Sequence, residues 1–574
     1  MTAEAEAIRA ADAGRSAPPA RRGRVLPLLL VLGWLLGVAW RVWLARHAGM
    51  PFAHTDEDGY LHTARALAGG PGGFSSENET LRRIGYPLLI APVFLPDRDF
   101  ADTYLIVRIV NAAVNATLLP LAYLLGRRLP GLRRGPALAA ATVAATVPAA
   151  VFHSAAAMTD AVLAPLLLAW LLAVHRLVER PGPAAAALGG ALAGACHLVH
   201  SRGLVVVAAY AGLVLALVVR RRLGSAGLLV AVLPVFVAAL ANEIGVRLLG
   251  DTVHLLGNPP AGNDLWAVIS GPGLAQVLAS TGTQLWYLMV VTFGLAGLGG
   301  ADAVLRLRRP GDEPGRWTTG VALVVTVGVA VGAEVVLAGV PDRVADAIYA
   351  RYVQMLAPFW LLVGVGVLFT VAYRSLLRTA AVTVALLAVG GALVHLRLAR
   401  ALAGGAALRH GDFSAPDLAA LTGGWQGMRP LVGAAIGVVG CLLLVLVARR
   451  RRARTVLLAA LVVVNVATTQ VIAERLIRPM ADVGTPVPAV ADLGIRPVDR
   501  VAVSTGVPYQ VRYNLGHQVT WTEVPWFADR PPATADVVLA RWAPGEPGDW
   551  DGTRHGFVRL GGDPARKWAA WRRQ

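Results

Sequence analysis

The chain has 574 residues, a mean hydropathy of +0.58 and a formal net charge of +18, yet only 15% of its residues are charged. Water-soluble chains of this length carry about a quarter charged residues, so the composition excludes an ordinary soluble protein. It also argues against a nucleic-acid partner. Lys567 is the only lysine, and the arginines gather in short segments beside apolar runs.

Residues 1–24 are polar and end in Arg21, Arg22 and Arg24, just before the apolar run 25–45. That run is too long for the apolar core of a signal peptide and lacks a small-residue cleavage pattern, so it reads as an uncleaved first span. Further runs of similar length lie at 104–126, 136–152, 159–175, 184–200, 203–219, 227–248, 284–305, 317–340, 353–373, 379–397, 430–448 and 455–473. About twenty residues cross a bilayer, which makes thirteen candidate spans. The Ala/Gly-rich 184–200 is the weakest; with 203–219 it reads as a short helical pair bent at Ser201-Arg202-Gly203. Cys196 and Cys441 both lie within apolar runs, so no disulfide is expected.

The connecting segments fall into two alternating sets. One comprises 1–24, 127–135, 175–183, 220–226, 306–316, 374–378 and 449–454, and carries 25 Arg or Lys in 71 residues. The other comprises 46–103, 153–158, 200–203, 249–283, 341–352 and 398–429, and carries 11 in 147. The positive-inside rule then makes the first set cytoplasmic and the second external, in a multi-pass plasma-membrane protein with a cytoplasmic N-terminus.

The first external loop, 46–103, is too long for a mere connector. It opens on Asp56-Glu57-Asp58 with Tyr60. Leu61, Ala64, Leu67 and Ala68 then recur at helical spacing, and Gly85-Tyr-Pro-Leu-Leu-Ile-Ala-Pro92 reads as a proline-bounded segment dipping toward the bilayer. Asn78-Glu-Thr80 matches a glycosylation acceptor pattern, which is weak evidence alone. Beyond the last span, 474–574 has ordinary charge density and β-like runs at 500–504, 519–523 and 536–540. It reads as a small external α/β domain whose Trp521, Trp526, Trp542 and Trp550 form a core rather than a ligand platform.

Polar groups distant in sequence are expected at one membrane surface: Asp56, Glu57 and Asp58; Asp160 at the start of the fourth span; Arg202 between the fifth and sixth; and Arg351-Tyr352 before the tenth. Each has a plain reading as well, as solvated charge, helix-end charge or snorkelling arginine. Arg108, Asn111 and Asn115 share one helical stripe and read as helix–helix hydrogen bonding, with Arg108 kept as a substrate contact. His153, His197 and His200 lack metal-ligand spacing. Arginines suit phosphate oxygens and a carboxylate can take a proton from a hydroxyl nucleophile, so the set fits a substrate with a phosphate and a reacting hydroxyl.

These residues resemble the membrane-embedded C-type glycosyltransferases (GT-C), which use polyprenyl-phosphate sugars. Relatives are protein O-mannosyltransferases, aminoarabinose transferases, and actinobacterial mannosyl- and arabinofuranosyltransferases. The resemblance rests on Asp56-Glu-Asp-Gly-Tyr60 with its surface helix, Gly85-Tyr-Pro87, Asp160 in Met-Thr-Asp-Ala-Val-Leu, Arg202 and Arg351-Tyr352. It implies an all-α polytopic membrane domain over 25–473 and a small extracytoplasmic α/β domain over 474–574. It also implies transfer of a sugar to a glycan, lipid or protein hydroxyl, with inversion expected. Asp56 would be the catalytic base, with Glu57 and Asp160 as further catalytic residues that orient substrate or bind a divalent cation. Asp58, Tyr60, Arg82, Arg83, Arg108, Arg202, Arg351 and Tyr352 would bind substrate. The reaction would need no cofactor, or a divalent cation (Mg or Mn) on Asp56, Asp58 and Asp160, since Asp58 completes an Asp-x-Asp arrangement. Rival readings are a lipid or glycan transporter or flippase, expected to show paired repeats with broken helices, and a non-catalytic envelope-assembly protein.

Overall fold

The computed structural model describes residues 25–54, 56–71, 74–75, 83–96, 98–129, 131–250, 272–308, 311–337, 348–405 and 413–574. The N-terminal tail 1–24, the Asn78–Thr80 pattern and Arg82 lie outside the described residues.

The main helices, in chain order, are α1 (Val25–Leu44), α2 (Asp56–Leu67), α3 (Phe100–Arg128), α4 (Arg134–Ala145 with Pro148–Ala155), α5 (Asp160–Glu179), α6 (Pro183–Val199), α7 (Gly203–Val219), α8 (Ser225–Leu249), α9 (Leu274–Val291), α10 (Leu295–Leu307), α11 (Glu313–Ala333), α12 (Ala350–Thr370), α13 (Tyr373–Ala403), α14 (Pro430–Val447), α15 (Arg452–Gly484) and α16 (Tyr509–Gln518). The chain is therefore a multi-pass membrane protein. Every apolar run named above is helical in its described part (338–340 lie outside it), but thirteen straight spans is not what they form. Nine of the described helices are long and apolar enough to cross a bilayer by themselves.

Two of the expected spans are bent pairs. α4 turns by 58° where Pro148, which has no amide hydrogen, follows the end of its first half. The expected span 284–305 is α9 and α10 meeting at 116°. Phe293 and Gly294 have positive φ (55° and 84°), and a side chain at Gly294 would collide with Cys441 of α14. Two more, α6 and α7, have 17 residues each and form the pair expected to bend at Ser201-Arg202-Gly203. The hairpin is tight because Gly203 lies against the Cys196–His197 backbone, where a Cβ has no room.

α6 also packs on α8 through glycine. A Cβ at Gly190 would meet the Ala231 carbonyl, and one at Gly194 would crowd Pro234 and Ala238. Small residues let two helix backbones approach where lipid offers no hydrophobic driving force. The Ala/Gly composition that weakens 184–200 as a lone span is thus what seats it in the bundle.

Residues 490–574 fold as an α/β unit, and the boundary expected at 474 falls inside α15, which continues to Gly484. Its six-stranded sheet has the order β1-β3-β2-β4-β6-β5, from β1 (Phe74–Ser75), β2 (Val501–Ser504), β3 (Val524–Phe527), β4 (Val537–Arg541), β5 (Phe557–Asp563) and β6 (Trp568–Arg573). β2, β3 and β4 are parallel, and the β5–β6 hairpin adds antiparallel. The strand expected at 519–523 starts at Val524 instead, because α16 extends to Gln518 and Val519 turns off its end into the core. β1 comes from the first loop and pairs in parallel with β3, Phe74 opposite Val524, so that loop and the C-terminal domain share a sheet. Trp550 is buried while Trp521, Trp526 and Trp542 are partly buried against the domain core, as the core reading expects.

The arginine-rich segments meet at one end of the bundle. Arg222 bonds Glu313 (2.7 Å) and the Val178 carbonyl (2.8 Å), and Arg449 stacks over Tyr373. The first loop, the α6–α7 tip and the start of α12 meet at the other. A Gly190→Val variant should overpack the α6–α8 contact and cost roughly 1–3 kcal/mol. A lowered melting temperature of the detergent-solubilised protein is the expected result; an unchanged one contradicts the close approach.

Candidate active site

The three adjacent acids begin α2, where the helix dipole favours negative charge, and Gly69 (φ 87°) ends the segment. Successive helical residues point about 100° apart, so the acids cannot share one site. Glu57 turns inward and is fully buried. It accepts from the Phe52 amide (2.9 Å), the Ala53 amide (2.7 Å), the Ala157 amide (2.6 Å) and the Tyr104 hydroxyl (2.6 Å). Burial holds its carboxyl above the usual carboxylate range, and these four donors offset only part of that rise. Asp58 turns toward the C-terminal domain and accepts from His54 Nδ1 (3.2 Å) and His517 Nε2 (2.7 Å). Burial pushes Asp58 up, but the two histidines outweigh it and hold the carboxyl well below the usual carboxylate range.

Of the three, Asp56 is the one bonded to Arg351. Its carboxylate accepts from Arg351 (2.5 Å). Arg351 also donates to Asp160 Oδ2 (3.0 Å), and Arg202 donates to Asp160 Oδ1 (2.8 Å). Residues 56, 351, 160 and 202 therefore form one chain of alternating charge, with no net charge and with Asp160 bridging two guanidiniums. Asp56 is its most exposed member, with 23% of the side chain accessible against 11% for Arg351, 6% for Arg202 and 2% for Asp160. The Arg351 Nε–H is buried without a partner among the described residues. Arg202 lies over the Tyr352 ring, 4.8 Å from its centre. His153 gives its Nδ1 hydrogen to the Ala149 carbonyl (2.7 Å), leaving Nε2 to accept from Gln354 (3.1 Å), which ties the Arg351 segment to the second half of α4.

Several residues named from sequence lie away from this chain. Glu57, expected to be catalytic, is enclosed by its own donors, and Asp58, expected to bind substrate, is enclosed by histidines; both corrections follow from the phase of α2. Arg108 bonds the Ala45 carbonyl and stacks on Tyr104, so it joins helices rather than the cluster. Asn111 and Asn115 do the same, bonding the Ala156 and Ala161 carbonyls at 2.8 Å. Tyr60 packs edge-on to Tyr86, and Arg83 bonds His197 Nε2 on α6 (3.3 Å). The suggested cation ligands do not converge on one point: Asp58 bonds His54 and His517, while each Asp160 oxygen accepts from an arginine. Among the described residues no group of three or more His, Cys, Asp or Glu side chains is arranged to hold an ion. His54 and His517 were missed; the i, i+4 spacing of His54 and Asp58 was a visible signal, whereas His517 had none.

Among solved structures the chain is similar to ArnT from Cupriavidus metallidurans bound to undecaprenyl phosphate. The TM-score is 0.51 and the identity 16%, over 96% of this chain and 98% of that one. The apo state of that ArnT (TM-score 0.46, 15% identity, 94% and 98% covered) and the arabinosyltransferase EmbB from Mycobacterium smegmatis (0.42, 14%, 80% and 42%) are weaker likenesses. No protein-family model matches the chain, and no curated protein does. The likeness bears on the fold, which this chain shares with that ArnT structure over nearly its whole length.

Acid should loosen the junction between α2 and the C-terminal domain. Burial holds His517 and His62 neutral, with pKa lowered to about 3, whereas an exposed histidine takes a proton near ~6.5. The unfolded chain therefore binds more protons between these values, and stability falls as pH drops from ~6.5 toward 3. Asp58, depressed in the fold, adds a loss in the same direction below the ordinary carboxylate range. The melting temperature should fall steadily from pH 7 to pH 5; a flat profile contradicts neutral buried histidines.

Proposed function

We propose that this chain is a glycosyltransferase that moves a sugar from a polyprenyl-phosphate donor to an acceptor hydroxyl at the outer membrane face. The observation that carries this reading is the chain of alternating charge, in which one accessible carboxylate sits beside two arginines. The fold shared with ArnT, whose crystal structure holds undecaprenyl phosphate, supports a donor of that lipid class.

In the proposed reaction the acceptor oxygen attacks the anomeric carbon as the bond to the phosphate oxygen breaks. The hydroxyl proton passes to Asp56, and polyprenyl phosphate leaves with the bonding electrons. A single displacement inverts the anomeric centre. Arg351 and Arg202 offer guanidinium donors to the phosphate, the unpartnered Nε–H of Arg351 among them. As charge grows on the phosphate, Arg351 shifts its interaction from Asp56 to the leaving group. The carboxylate then becomes more basic just as it receives the proton.

The proposed orientation places the arginine-rich segments in the cytoplasm and the carboxylate site outside. A transport reading expects its ionisable site at the broken helices. The α9–α10 break instead packs Gly294 against Cys441, far in composition from the charged chain.

Purified protein incubated with a panel of polyprenyl-phosphate sugars should transfer one of them, with turnover unchanged by EDTA. Asp56→Asn should lower turnover by ~10²–10⁴-fold while donor binding stays within a few-fold. Near-wild-type turnover of that variant would remove Asp56 from the role of base, and loss of activity in EDTA would restore a metal to the mechanism.

A further inference from the structure

The three acids of α2 are pinned to different bodies. Glu57 fastens the first turn to the transmembrane domain, through Tyr104 of α3 and the Ala157 amide three residues before Asp160. One such anchor leaves a helix free to swing about it. The second anchor is Asp58, held by His517 from a helix 459 residues away in sequence. Both side chains of that bond are almost fully buried.

The surroundings make this second anchor rigid. The His517 ring stacks on Phe100 at 4.7 Å and lies 4.5 Å from His62. His54, the other donor to Asp58, packs against Tyr513 and Tyr509 of the same α16. Asn514, one turn before His517, donates to the Pro51 carbonyl (3.1 Å) and the Gly484 carbonyl (3.0 Å), joining the first loop to the end of α15. The β1–β3 pairing holds the far side of the loop to the same domain. α16 thus grips the segment just before α2 and its first turn, within two residues of Asp56 on either side.

We infer that the C-terminal domain positions the Asp56 carboxylate, and that His517, acting through Asp58, is a positioning residue for the transfer reaction. This rests on the function proposed above. His517 touches neither Asp56 nor the arginines; it sets the direction in which α2 aims Asp56 at Arg351 and the acceptor. A displacement of ~1 Å at a reacting group can cost about 10²-fold in rate. The domain is then a working part of the site, and not only a platform for an acceptor.

The test uses full-length protein and three forms: wild type, His517→Ala and His517→Gln, whose amide nitrogen can stand in for Nε2. Hydrogen–deuterium exchange across residues 52–67 and turnover, normalised to protein that binds polyprenyl phosphate, are measured on each. His517→Ala should exchange faster in the first turn of α2 and lose about 10²-fold in kcat with donor KM within about two-fold. His517→Gln should recover part of both. Equal kcat in His517→Ala and wild type overturns the inference, as does a loss carried by KM alone or unchanged exchange in α2. Should His517→Ala fail to fold, the comparison of His517→Gln with wild type decides by the same readouts. A wild type inactive with every donor sinks the glycosyltransferase reading instead, and the exchange data still report whether His517 holds α2.

Discussion

Everything at this site depends on the burial of one carboxylate. Glu57 is enclosed where water cannot satisfy it, so its oxygens must be met by protein donors or the charge could not be kept there. The four donors come from the loop before α2, from α3 and from the segment leading into α5. Satisfying one buried anion therefore draws three parts of the chain to a point. The same closure brings the start of α2, which carries Asp56, alongside the start of α5, which carries Asp160.

The charged chain then follows from electrostatics. Asp160 is nearly inaccessible and would be costly alone; two guanidiniums compensate it, and Asp56 compensates the second charge on the Arg351 side. Removing one partner from such a buried network leaves an unpaired charge, at a cost of ~3–5 kcal/mol. The hairpin between α6 and α7 serves this arrangement. Its glycine contact at Gly203 allows the backbone to reverse closely enough to deliver Arg202 to Asp160.

Much of this was legible in the sequence because membrane insertion imposes strong, local rules. Apolar run lengths locate the helices, and alternating arginine density brings residues 56, 160, 202 and 351 to one face although three hundred residues separate the ends. What was not legible depends on partners without sequence periodicity. Glu57 and Asp58 look equivalent to Asp56 in a linear motif, and only the phase of α2, fixed by Tyr104, Ala157 and His517, tells them apart. The bend between α9 and α10 was hidden because the hydropathy of 284–305 is continuous and the break is set by Gly294 against a distant Cys441. The start of β3 was misplaced for a similar reason: Val519 has strand-like neighbours, but its side chain packs at the end of α16.

Under the proposed function, a resting cluster with no net charge suits a site that receives an anion from the membrane. Four unpaired charges would hold water tightly and cost much to strip before a lipid-linked phosphate could approach. Asp160 keeps both guanidiniums oriented, so the proposed reaction needs little reorganisation as phosphate oxygens enter. The interactions within the cluster are stronger at this low local dielectric than they would be in water. Because Asp160 is bound on both oxygens while Asp56 is bound on one side only, the pair is unequal: one acid holds the arginines in place, and the other retains a face open to an incoming hydroxyl. That inequality, more than the number of acids in the motif, is what separates the proposed base from a structural carboxylate.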